Sequence, residues 1–73
     1  MANLGERLKL LRNERGLKQV EMAEHFDQSP RAYQYYEAGT RHPEYDHLLA
    51  LADFFDVSLE YLVGRRETRE RQP

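Results

Sequence analysis

The chain predicts an all-α fold, a compact five-helix bundle, and three features of its 73 residues carry that expectation. Apolar residues recur at separations of three and four, and no segment shows the period of two that a half-buried strand requires. Hydroxyl and amide N-caps, a proline and scattered glycines cut these runs into short helices. A chain of this length supports a single core, so nearly all of its apolar residues must share it.

Asn3 followed by Glu6 has the form of a capping box, and Leu4, Leu8 and Leu11 repeat at helical spacing until Gly16 offers a stop, giving a first helix over Leu4–Glu14. Its other face carries Arg7, Lys9, Arg12 and Arg15, expected to be solvated, with Lys9 and Arg12 able to approach a phosphate. Leu17 anchors the link into a second helix, Gln19–Phe26, with Met22, Ala23 and Phe26 inward and Glu21, Glu24 and His25 facing water. Only Asp27 and Gln28 precede Ser29, a hydroxyl N-cap, and Pro30, suited to the first helical position. So short a link makes the helices cross steeply, and the small Ala23 allows their close approach.

The third helix is expected over Pro30–Glu37, with Ala32, Tyr33 and Tyr36 inward, Arg31, Gln34 and Tyr35 outside, and Gly39 as the stop. After the loop Thr40–Glu44, Leu48, Leu51, Ala52 and Phe55 mark an amphipathic helix over Tyr45–Phe55. Ser58 then caps a last helix ending near Gly64, with Leu59 and Leu62 inward and Tyr61 and Val63 exposed. The folded domain is thus expected over 1–63. The tail 64–73, GRRETRERQP, has no apolar residue from Arg65 onward and is expected to be disordered.

Composition removes several classes of function. Without cysteine there is no disulfide scaffold and no thiolate metal site, which fits a reducing cytoplasm. No apolar run approaches the roughly 20 residues needed to cross a bilayer. The three histidines, His25, His42 and His47, form no ordinary ligand pair, the paired carboxylates have no pocket to tune them, and no glycine-rich loop cradles a phosphate, so neither enzyme, metal, cofactor nor small-molecule ligand is expected. The charge is acidic, net −2, with seven basic against eleven acidic residues over 1–63. Duplex-DNA binders are usually basic. Binding DNA would therefore require a local concentration of cations.

Two short helices joined by a tight turn, with polar side chains free on the second, form a helix-turn-helix candidate. The segments LGERLKLLRNERGLKQ (Leu4–Gln19), MAEHF (Met22–Phe26), YEAG (Tyr36–Gly39), Pro43 and LLALADFFDVSLEYL (Leu48–Leu62) resemble, in order and spacing, the Cro/cI-type helix-turn-helix family of phage-repressor and xenobiotic-response-element regulators. The resemblance implies a lambda-repressor-like domain that reads operator DNA, usually as a dimer. Asp27 stands where the family usually has glycine, Gln28 where an apolar plug is usual, and Lys18 where the second helix usually has a Ser or Thr cap.

The expected partner is double-stranded DNA, contacted by a cytoplasmic homodimer that is nucleoid-associated when bound. Arg31 and Gln34 are the expected base readers, because arginine forms a bidentate contact to guanine and glutamine to adenine. Pro30 and Tyr35 flank them, placed to touch a thymine methyl. Phosphate contacts are expected from Lys18, Gln19, Ser29, Arg41 and His42, with Tyr35 as a further candidate. Glu37 is expected to orient its neighbours. A competing expectation is a protein-interaction or antitoxin-like module, which the acidic body favours.

Overall fold

The computed structural model describes residues 3–71, and among them lie five α-helices and no strand. Helix α1 spans Leu4–Glu14, α2 Gln19–His25, α3 Pro30–Ala38, α4 Tyr45–Phe55 and α5 Leu59–Leu62. Local chemistry explains most boundaries. The Asn3 side chain accepts the Glu6 N–H at 3.0 Å and the Glu6 carboxylate accepts the Asn3 N–H at 3.3 Å, which closes the capping box that starts α1. Lys18 has no side-chain acceptor for α2, but Glu21 supplies the reciprocal half, accepting the Lys18 N–H at 2.8 Å. Ser29 and Ser58 cap α3 and α5 through their hydroxyls, accepting from Ala32 at 3.2 Å and Tyr61 at 3.0 Å.

The turn between α2 and α3 is made by Asp27 at φ 55°. Its left-handed backbone ends α2, one residue earlier than the hydrophobic pattern suggested, and the Gln28 N–H closes back on the Ala23 carbonyl at 2.8 Å. Gly39, at φ 83°, ends α3.

Leu8, Met22, Tyr33, Leu51 and Leu62 are the largest fully enclosed side chains, one from each helix. Helix α3 packs on both α1 and α2, and α5 on both α1 and α4. Gly5 makes the first of these contacts possible, since a Cβ there would stand 2.4 Å from the Glu37 carbonyl oxygen. The N-terminal turn of α1 therefore rests directly on the last backbone turn of α3.

Two expectations are corrected. Arg7 and Arg12, placed on a solvated face by periodicity, are buried, because each finds oxygen partners inside the fold. Tyr61 is buried as well, its ring covered by the Arg7 guanidinium at 3.9 Å and approached by that of Arg69 at 5.3 Å. The described part of the tail, as far as Arg71, contacts the helices. Its Arg69 carbonyl accepts the Ser58 N–H at 2.9 Å, the Arg69 guanidinium grips Glu14 with contacts of 2.7 and 2.6 Å, and Arg71 pairs with Asp53. Arg7 adds bonds to the Arg66 carbonyl and to Glu67. These partners lie on α1, α4 and α5, so no apolar residue in the tail is needed.

Candidate nucleic-acid interface

The inner side of α3 is fixed by the fully enclosed Tyr33, by the Ser29 cap and by Pro30 at the first helical position. Its outer side presents Arg31 and Gln34, both exposed and one turn apart, with Pro30 exposed beside them and Tyr35 half-buried. Lys18, Ser29, Arg41 and His42 are exposed and Gln19 is half-buried. A shallow depression lined by Lys9, Gln19, Gln34, Glu37 and Ala38 joins the start of α2 to the middle of α3 across the side of α1. It brings one expected base reader, Gln34, beside one expected phosphate contact, Gln19. Lys9 is part of the same surface, which helical periodicity in α1 alone does not show.

Beneath this surface lies a buried ionic network. Glu37 accepts from Arg12 Nε at 2.6 Å and Nη2 at 3.1 Å, and from the Gln19 amide at 3.0 Å. Arg12 also donates to the Leu17 carbonyl at 2.8 Å, so one guanidinium ties α1, α3 and the α1–α2 link together. The side chains of Arg12 and Glu37 are only 11% and 5% exposed. Burial alone would raise the Glu37 carboxyl, but hydrogen bonds from Arg12 and Gln19 and the Arg12 charge together hold it below the ordinary carboxylate value. The same Glu37 contact raises Arg12 further. Arg12, engaged on Glu37 and the Leu17 carbonyl, is therefore not free to bind phosphate. Arg12 is a brace, and Glu37 orients Gln19 as expected. The neighbouring Tyr33 hydroxyl has no hydrogen-bond partner, and burial followed by the nearby Glu37 pushes its phenol above the ordinary value.

The departure at Gln28 has a compensating structure. Its amide donates to the Tyr36 hydroxyl at 2.9 Å, replacing apolar packing with a polar link from the turn to α3, although Gln28 Oε1 has no partner. Tyr36 in turn meets His47 of α4 edge-on at 5.5 Å, and His47 meets Phe26 at 5.0 Å. Buried His47 Nε2 lacks a partner, and desolvation lowers the imidazole pKa.

The distribution of charge is the other feature of this face. Among the described residues Arg7, Arg12, Arg66, Arg69 and Arg71 are held in ion pairs, whereas Lys9, Arg15, Lys18, Arg31, Arg41 and Arg65 are in none. Four of these six belong to the α3 helix, its flanking loop, the α2 cap and the shared depression, whereas Arg15 lies over the rings of Phe54 and Phe55 and Arg65 belongs to the tail. Three tail arginines, Arg66, Arg69 and Arg71, neutralise carboxylates on α5, α1 and α4. Among the described residues no three His, Asp or Glu side chains gather as a metal site, and no helix is long and apolar enough to cross a membrane.

Comparison with known proteins gives a consistent result. The profile of the helix-turn-helix family matches residues 8–62. In Bacillus subtilis (strain 168), the uncharacterized HTH-type transcriptional regulator YqaE is 38% identical over 66 residues, covering 90% of this chain and 56% of its own. The HTH-type transcriptional regulator ImmR of the same organism is 36% identical over 69 residues, covering 94% of this chain and 54% of its own. A third, the uncharacterized HTH-type transcriptional regulator YobD, is 36% identical over 59 residues, or 81% of this chain and 53% of its own. The chain spans about half the length of the curated relatives it matches.

Proposed function

Because the chain belongs to the helix-turn-helix family, we propose that it is a sequence-specific DNA-binding transcriptional regulator, a repressor that occupies a partly palindromic operator as a dimer. The observation that carries this reading is the pair Arg31 and Gln34, both solvent-facing on a helix whose opposite side is locked into the core. In this reading α3 enters the major groove, Arg31 takes guanine, Gln34 takes adenine, and Pro30 offers its ring to a thymine methyl. Gln19, held by Glu37, and Lys18, Ser29, Arg41 and His42 take phosphates and fix the register. Lys9 joins them from α1 across the shared depression.

Repression follows from occupancy alone, and a dimer would place two copies of α3 about 34 Å apart, one turn of duplex. The groove between α4 and α5, where Leu49 and Leu59 reach the surface, supports the far side of the domain as the dimer face. Val63 is half-buried, and the buried Tyr61 is not available for that contact.

The test is selection of bound sequences from random duplexes, followed by titration of the selected duplex and a scrambled one. Arg31→Ala is expected to cost about 1–3 kcal/mol on the selected site and to relax preference at one base pair. Gln19→Ala is expected to weaken both duplexes alike. Equal losses on both duplexes from both substitutions reject this division of roles, and binding that ignores salt rejects the DNA reading itself.

A further inference from the structure

Tyr35 lies on the outer side of α3 yet is half-buried, unlike its exposed neighbours Arg31 and Gln34. What covers it is Arg41, whose guanidinium carbon lies over the ring at 4.8 Å from its centre. The backbone enforces this fold-back. The Tyr35 carbonyl accepts from Gly39 at 3.0 Å, from Thr40 at 3.1 Å and from Arg41 at 3.4 Å, and the Thr40 hydroxyl adds a fourth bond at 3.4 Å. The chain after α3 therefore turns tightly around one carbonyl, and this returns the residue 41 side chain over the ring of residue 35.

Arg41 is in no ion pair among the described residues. A guanidinium resting on an aromatic face uses none of its N–H donors there, so those donors stay available for an anion, while its rotamers are restricted in advance. Two phosphate oxygens match that donor fork.

We propose that Tyr35 is a positioning residue: its ring holds Arg41 ready to take a phosphate of duplex DNA, and it reads no base itself. This rests on the DNA-binding reading above. It reassigns Tyr35 from the base-reading group and makes the Tyr35–Arg41 pair one unit.

A double-mutant cycle on the full chain tests it, using the selected duplex and a scrambled duplex across a salt series. Arg41→Ala is expected to weaken both duplexes by the same factor and to make the log affinity against log salt plot shallower by about 0.9 per protomer. Tyr35→Ala is expected to weaken both by about two- to fivefold, with no further loss when Arg41 is already alanine. Tyr35→Phe, which keeps the ring, is expected to bind as the parent does, and circular dichroism of each variant establishes that it is folded. Should Tyr35→Ala prove unfolded, Tyr35→Phe and Tyr35→Leu carry the comparison, since leucine fills space without offering a π face. A Tyr35 loss that persists in the Arg41→Ala background, or that changes base preference, overturns the proposal. If the parent protein binds no duplex, the DNA reading fails instead, a result distinct from either.

Discussion

Glu37→Gln isolates the charge of the buried network with almost no change in shape. The parent carboxylate accepts three hydrogen bonds, two from Arg12 and one from Gln19, and both members of the ion pair are nearly closed to solvent. Removing the anion leaves the Arg12 guanidinium buried with the Leu17 carbonyl as its remaining full acceptor. Breaking a buried pair in this way costs about 3–5 kcal/mol, of which one hydrogen bond to the glutamine carbonyl restores about 1, so the expected loss is about 2–4 kcal/mol. For a domain of this size that is a large share of a total stability of about 4–11 kcal/mol. Urea denaturation at pH 7 measures it directly.

The pH dependence supplies a second signature. The folded Glu37 pKa is depressed, so the parent holds this stabilisation above the unfolded value of 4.5 and loses it as pH falls through the lower folded value. The gap between parent and Glu37→Gln is therefore expected to be constant from pH 5.5 to 7 and to close below about pH 4.5. A variant within about 0.5 kcal/mol of the parent at neutral pH, or a gap that ignores acid, refutes the assignment of Glu37 as the anionic hub.

Gly5→Ala places a methyl against the Glu37 carbonyl; the clash outweighs the gain in helix propensity of about 1 kcal/mol, and melting temperature is expected to fall together with DNA affinity. His47 has a depressed folded pKa, so the parent loses stability as pH falls below the unfolded value of 6.5, whereas His47→Phe is expected to give a flat profile from pH 7 to 5.5 by denaturant titration. Asp27→Gly relieves the left-handed backbone at φ 55° and is expected to stabilise by about 1 kcal/mol in the same assay.

The five helices were legible because their signals are local. Asn3 with Glu6, Ser29 with Pro30, Gly39 and Ser58 each act within one turn of the residues they fix, and α1 and α4 begin and end where those signals place them. The outward placement of Arg31 and Gln34 follows from the same periodicity. What periodicity misses are contacts made at a distance. Arg12 meets an acid 25 positions away and Arg7 a carbonyl 59 positions away, so a cationic side chain on the polar side of α1 becomes interior. Tyr61 was misplaced for the same reason, because the residues covering it come from α1 and from a tail with no hydrophobic signal at all. The Tyr35–Arg41 contact depends on the path of the backbone after Gly39, which sequence spacing does not specify.

These ion pairs also bear on how an acidic chain would hold a polyanion. Net charge is −2, but among the described residues five arginines pair with carboxylates and six cations do not, of which Lys9, Lys18, Arg31 and Arg41 lie around α2 and α3 and Arg15 and Arg65 lie away from them. If those four alone displace counterions, the slope of log affinity against log salt is at most about 3.6 in magnitude per protomer, at about 0.9 per phosphate neutralised. For the proposed dimer the two protomers together give at most about 7.2, at about 0.9 per phosphate neutralised. A slope near 3 per protomer, near 6 for the dimer, with preference for the selected duplex is the expected result. A markedly steeper slope would mean that further cations turn to the phosphates, either the unpaired Arg15 and Arg65 or tail arginines released from Glu14, Asp53 and Glu60, and the division between structural and DNA-facing cations would then be wrong.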